Sequence, residues 1–310
     1  MLTNMIESPL PAEAGTVLDL APGGAPGSWL TLDDTGRVGR WDIGSGTWRH
    51  LATAARKGQL RLHADPAGRF AAVVEDHGRY GTVLDLGTGL ATTELDGGDH
   101  HAEHVPFAFR FLERDGRALA VHRTAWNRLD VSDVTTGELL TAGEQDLDYF
   151  HGELHLSPGA DRLLDDGWVW HPVGVPVVWS LDGGLPGNRL DVCAREYYWG
   201  HAMTWIGDDL VAIEGIGDDD EDMAPGARIF DVTGAGDAVE VTTIPGPTGR
   251  FFSDGRRLFS SDEAGLRAWD PRTGDLLATE PGFAPTHHDA VHRVLLSLGG
   301  DRRVRAATYF

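Results

Sequence analysis

A chain of 310 residues can make one large domain or two ordinary ones, so length alone decides nothing. Lys and Arg number 26 against 48 Asp and Glu, a formal charge of −22. That field repels phosphate backbones and anionic bilayers, which argues against nucleic acid and against a membrane as partners. The single cysteine, Cys193, excludes an intramolecular disulfide and a cysteine-built zinc site. Met1–Glu7 has no basic or apolar leader pattern, and no apolar run approaches the ~20 residues of a membrane span, so the expected location is the cytoplasm.

With 41 Gly and 16 Pro, turns are frequent, as in an all-β chain. The first strand-like runs are Thr16–Leu20, Trp29–Leu32, Arg37–Asp42 and Trp48–Leu51, broken by Pro22-Gly23-Gly24, Asp33-Asp34-Thr35-Gly36 and Gly44-Ser45-Gly46. Gly accepts positive φ and Asp bonds its own backbone, so these breaks are turn chemistry. A second period runs from Leu60–His63 to Ala91–Leu95, and a third from Phe107–Phe111 to Glu138–Thr141. A fourth begins near His151, a fifth spans His201–Ile244 and a sixth Arg250–Thr279. A seventh starts at Ala290–Leu298 and ends, one strand short, with Arg303–Tyr309.

A repeated stretch punctuates these periods: Trp41-Asp42-Ile43-Gly44-Ser45-Gly46, then Leu84–Gly89, Ser132–Gly137 and Trp269–Gly274, with weaker copies at Trp179–Gly184 and Phe230–Ala235. The copies end at 46, 89, 137, 184, 235 and 274, a ragged spacing in or near the propeller-blade range. The pattern predicts an all-β, seven-bladed β-propeller forming a single domain over residues 1–310. Leu2–Ile6 would complete the last blade and remove both exposed sheet edges. Trp41, Trp179, Phe230 and Trp269 recur at one strand position and are expected between blades.

The Trp-Asp pairs Trp41-Asp42 and Trp269-Asp270, with the turns Ser157–Asp161 and Ser253–Arg256, resemble the divergent bacterial kind of WD-repeat β-propeller over essentially the whole chain. The Gly-His dipeptide of that family has one candidate here, Gly200-His201. Asp166–Pro172 and Tyr197–Trp199 are similar to stretches of uncharacterised bacterial relatives.

In a propeller, turns joining first to second and third to fourth strands share one side; the remaining loops share the other. The first side carries plain turns. The second carries His100, His101 and His104; Tyr149, Phe150 and His151; Arg195, Glu196, Tyr197, Tyr198, Trp199 and His201; His287 and His288; and Trp126, Trp170, His171 and Pro172. Loops on a rigid scaffold are where binding concentrates. The expected function is therefore a non-catalytic binding module, a monomer holding a protein or peptide, with basic residues in the partner favoured; a small molecule is a further option. Expected contacts are His101, His104, Trp126, His151, Trp170, His171, Tyr197, Tyr198, Trp199, His201, His287 and His288. The competing expectation is an enzyme of cyclase or hydrolase type at the channel mouth, with Glu196, His171 and His201 as acid/base candidates. Strictosidine-synthase-like propellers and calcium lactonases give it a precedent at the level of fold only.

No cofactor is expected. A divalent cation has two weak footholds, His100–His104 and the acidic run Asp218, Asp220 and Asp222. The run lacks the Gly and the distal Glu of a calcium loop, with Met223 and Ile229 in their places. Nucleophile-elbow, phosphate-loop and dinucleotide motifs are missing.

Overall fold

The computed structural model of the chain describes residues 2–310 except 142, 146, 171–172, 183–184, 186, 197–199, 218–222 and 235. Among the described residues there are strands and two single 3-10 turns, Ala12–Ala14 and Ala102–His104, and no α-helix; no helix is long and apolar enough to cross a membrane. The fold is all-β, made mostly of four-stranded antiparallel sheets. The chain divides into two compact units, Leu2–Leu147 with His287–Tyr309, and Asp148–Thr286 with Phe310.

In the first unit, three sheets follow chain order. The first sheet is Val17–Pro22, Ser28–Asp33, Arg37–Asp42 and Trp48–Thr53; the second is Leu60–Ala64, Phe70–Glu75, Tyr80–Asp85 and Leu90–Asp96. The third has only Phe109–Arg114, Arg117–Ala125 and Arg128–Asp133. A fourth, terminal sheet joins the chain ends: Leu2–Pro9 pairs antiparallel with Arg303–Tyr309, beside Val294–Leu298 and His287–Asp289. The strand expected at the N-terminus is thus in place beside the last strand.

The second strands of the first and second sheets lie between neighbours on both faces, so they read as apolar runs rather than alternating ones. Ser28–Asp33 is buried at every position, whereas Leu90–Asp96, a fourth strand, is mostly exposed. Trp29, Trp41, Leu296 and Val304 fill the layer between the terminal and first sheets. Leu30, Leu32, Leu62 and Val73 fill the next, and Phe70, Phe107, Phe109 and Val134 the one after.

The third sheet departs from expectation. Glu138–Thr141 makes a single bridge, Ser132 to Leu139, not a fourth strand. Side chains take over the edge: Thr141 Oγ1 accepts from Val131 N at 2.7 Å, and Gln145 accepts from Leu129 N at 3.3 Å while donating to Leu129 O at 2.6 Å. An amide side chain carries the same donor and acceptor as a peptide unit, so it can stand in for a strand.

The second unit holds Leu154–Leu156, Arg162–Asp165, Val177–Ser180 and Arg189–Asp191 in one sheet. Met203–Ile206, Leu210–Ile216, Ala224–Asp231 and Val239–Pro245 form the next, and Arg250–Ser253, Leu258–Asp262, Gly265–Trp269 and Leu276–Pro281 the last. Trp168–Val169, Val173–Gly174 and Arg195–Glu196 make a small extra sheet from a segment expected to be loop. Trp179, Phe230 and Trp269 are buried, as is Trp41 in the first unit.

The repeated stretch has a physical cause. Asp42, Asp85, Asp133 and Asp270 each accept backbone N–H groups two or three residues on, at 2.7–3.1 Å. The glycine four residues after each Asp donates back to that Asp carbonyl at 2.8–2.9 Å, with φ of 71–77°. An L side chain is strained there, so the Asp-x-x-x-Gly spacing is a turn requirement.

Buried titratable groups set an acid sensitivity. His122 is buried; Nδ1 faces Arg123 O at 3.2 Å and Nε2 faces Ser132 Oγ at 2.6 Å. A carbonyl only accepts, so Nδ1 carries the proton and Nε2 accepts from Ser132. Burial pushes the imidazole below its ordinary 6.5. Burial opposes ionisation of Asp33 and Asp254, but hydrogen bonds from Thr35 and Arg37, and from Arg257 and Arg256, outweigh it and hold both below 3.8. All three are depressed, so their stabilisation is complete above the unfolded value and is lost as pH falls through the folded one. The melting temperature should fall first below about pH 6.5 and again below about pH 3.8. His122→Gln should flatten the first limb of a pH series of thermal melts; an unchanged limb would assign it to other groups.

Candidate functional site

The residues with the most distinctive chemistry in the first unit sit on the loop leaving the second sheet. Asp96 ends its last strand and holds Arg79 through two 2.7 Å bonds while accepting Gly98 N at 2.9 Å. Beneath the loop lies Arg123, 1% exposed, donating to Gly78 O at 2.8 Å and Pro106 O at 3.5 Å and covering the Phe107 ring at 5.3 Å. Burial pushes its guanidinium down to about 10, against the pull of Asp76. A Cβ at Gly97 would lie 2.8 Å from Arg123 Nε, so the backbone must be bare where it crosses.

That anchoring delivers an imidazole cluster. His101 adopts the left-handed conformation, φ 49°, and starts the turn Ala102–His104. His100 lies 4.6 Å from His101 and 5.2 Å from Trp126, which projects from the turn between Arg117–Ala125 and Arg128–Asp133. His101 and His104 are 5.6 Å apart by ring centroid, and Glu103 Oε1 is 3.3 Å from His104 Nε2 and 4.0 Å from His101 Nδ1. The ligand atoms of His101, Glu103 and His104 all fall within 4.8 Å of one another. Two imidazoles and a carboxylate suit a borderline divalent ion such as Zn²⁺.

His287 and His288 engage other partners of the same unit. His287 Nε2 is 3.3 Å from Asp19 Oδ1, and Trp29 meets its ring edge-on at 6.4 Å. Asp19 also accepts Leu20 N and Leu62 N, at 2.8 and 2.7 Å, so with His287 it ties together edge strands of three neighbouring sheets. Burial opposes its charge, but these bonds prevail and hold the carboxyl low. His288 Nε2 lies 2.7 Å from Tyr309 Oη.

In the second unit, His151 is fully buried rather than on a rim. Its Nδ1 bonds Asp165 Oδ2 at 2.7 Å; Tyr149 donates to the same oxygen at 3.1 Å and accepts Trp179 Nε1 at 3.1 Å. Phe150 packs on Trp168 at 4.8 Å and Trp170 on Trp168 at 5.3 Å, with Trp170 57% exposed. Glu196 pairs in register with Val173 and accepts Met223 N at 3.4 Å. His201 Nδ1 is 3.8 Å from Glu214, whose carboxylate already accepts Ala202 N and Gly249 N at 2.7 and 3.0 Å. His171, Tyr197, Tyr198, Trp199, Asp218, Asp220 and Asp222 lie outside the described residues.

Sequence reasoning missed Arg123, Asp165 and Asp166 as buried polar groups, and it placed Arg195 on a loop rim although Arg195 is buried against Asp166. The available signal was a charged residue inside an otherwise apolar strand pattern, as at Arg123 after Leu119-Ala120-Val121. Compared with known protein families and with curated proteins, the chain matches none.

Proposed function

We propose that this chain is a non-catalytic binding module that uses imidazole and aromatic side chains on its loops to hold a protein or peptide. The observation that carries this reading is the meeting of His100 with Trp126 across two loops, at 5.2 Å. Trp is enriched among the few residues that dominate binding energy. A basic partner follows from the charge of −22. In this reading seven of the sheets are blades of one WD-repeat-like propeller acting as a cytoplasmic monomer, the last blade completed by the N-terminal strand. The buried Trp269–Ser260 bond of 2.9 Å and the pairing of Leu2–Pro9 with Arg303–Tyr309 support it.

The second reading, a metal-dependent hydrolase or cyclase, is favoured by the His101, Glu103 and His104 donor set. Both can be tested on the full chain. Fluorescence anisotropy with Lys/Arg-rich peptides should show binding that Trp126→Ala weakens at least tenfold with little change in melting temperature. Peptide binding that ignores Trp126→Ala would sink the first reading. Calorimetric Zn²⁺ binding that is lost in His101→Ala/His104→Ala would favour the second.

A further inference from the structure

At the other end of the first unit's sheets, among turns that look like plain punctuation, lies a groove of ≈ 630 Å³. Four arginines line it: Arg40 and Arg49 from the third and fourth strands of the first sheet, Arg69 from the second sheet's first turn, and Arg117 from the start of the third sheet's second strand. Asp85 and Asp133 are the carboxylates in its wall. Asp85 Oδ1 is committed to Gly87 N and Thr88 N, and Asp133 to Thr135 N, Thr136 N and Arg117.

Arg40 and Arg49 stand directly opposite each other in the strand pairing, on one face. Like charges in that position destabilise a sheet. Neither has a carboxylate partner among the described residues. Arg40 gives one bond, Nη2 to Gly68 O at 2.5 Å, and its Nε is shut off from water with no acceptor. Arg69 is divided between Asp65 and Glu113 at 3.5 and 3.3 Å, both long for ion pairs. Two opposed guanidiniums, neither in an ion pair among the described residues, lack the group that would reconcile them.

We propose that this groove binds a small organic polyanion, through phosphate or carboxylate oxygens seated between Arg40 and Arg49. Guanidinium forks match the paired oxygens of both groups. The volume is that of a site for a small organic molecule, roughly 300–1,000 Å³, and exceeds what a lone inorganic ion fills. The site is separate from the His100–Trp126 corner and stands whether or not that corner binds a peptide.

The test is calorimetric titration of the full chain, in low-salt buffer free of phosphate, with fructose 1,6-bisphosphate in one arm and citrate in the other. Saturable one-to-one binding of either supports the proposal, and the better ligand identifies the head group. Arg40→Gln and Arg49→Gln should each weaken it at least tenfold. Arg49 is exposed, so its variant should fold, and without ligand it should melt no lower than the parent because a repulsion is gone. No saturable binding in either arm, or binding equal to the parent in Arg49→Gln, would overturn it.

Discussion

Asp165→Ala is expected to cost the second unit about 3–5 kcal/mol, because three buried donors lose the carboxylate they share. Asp165 is fully buried and accepts from His151 Nδ1, Tyr149 Oη and Gly152 N at 2.7, 3.1 and 3.2 Å. Alanine leaves three donors facing a cavity, and each buried unsatisfied group costs about 1–3 kcal/mol. Burial pushes the Tyr149 phenol far above its ordinary 10, so it remains a donor at any working pH. Asp165→Asn keeps an acceptor and should lose less. In urea unfolding followed by tryptophan fluorescence, the alanine midpoint should fall by roughly 1 M or more. A midpoint within error of the parent would mean the network contributes nothing.

The second large effect concerns Asp166 and Arg195, paired at 2.6 Å with side chains 7% and 1% exposed. Asp166→Ala leaves a guanidinium without its counter-charge and should cost about 3–5 kcal/mol. Replacing both, as Asp166→Leu with Arg195→Met, removes the desolvation of two charges and should recover most of that loss. Burial pushes the Asp166 carboxyl above 3.8 although Arg195 pulls it down. Its ionisation therefore subtracts from stability as pH rises, opposite in sign to Asp33 and Asp254. If the double variant unfolds as readily as Asp166→Ala, packing rather than charge holds this site.

How much was legible can be judged residue by residue. The turn spacing at Asp42–Gly46, Asp85–Gly89, Asp133–Gly137 and Asp270–Gly274 announced strand ends correctly, because the bonds that make the turn join residues two to four apart. Trp41, Trp179, Phe230 and Trp269 could be assigned to the interior from their shared position in that repeat. His100 and Trp126 could be assigned to two kinds of loop on the same side, but not given a distance.

Residues 138–141 show where reading along the chain stops working. They have the length of a fourth strand, yet Thr141 and Gln145 side chains satisfy the edge of Arg128–Asp133 instead. His151 sits in a loop position by sequence and is sealed by Asp165, fourteen residues away. Arg40 and Arg49 look like ordinary strand charges until register sets them face to face.

The amino-acid order by itself determined the strand-and-turn rhythm, the all-β class and the excess of acid, since each depends on neighbours in the chain or on simple totals. Tertiary structure alone decided which charges are buried together, which imidazoles meet an aromatic ring and which arginines face each other across a strand pair. Those outcomes depend on which strand ends come together in space, and pairings such as Asp19 with His287 join positions 268 apart.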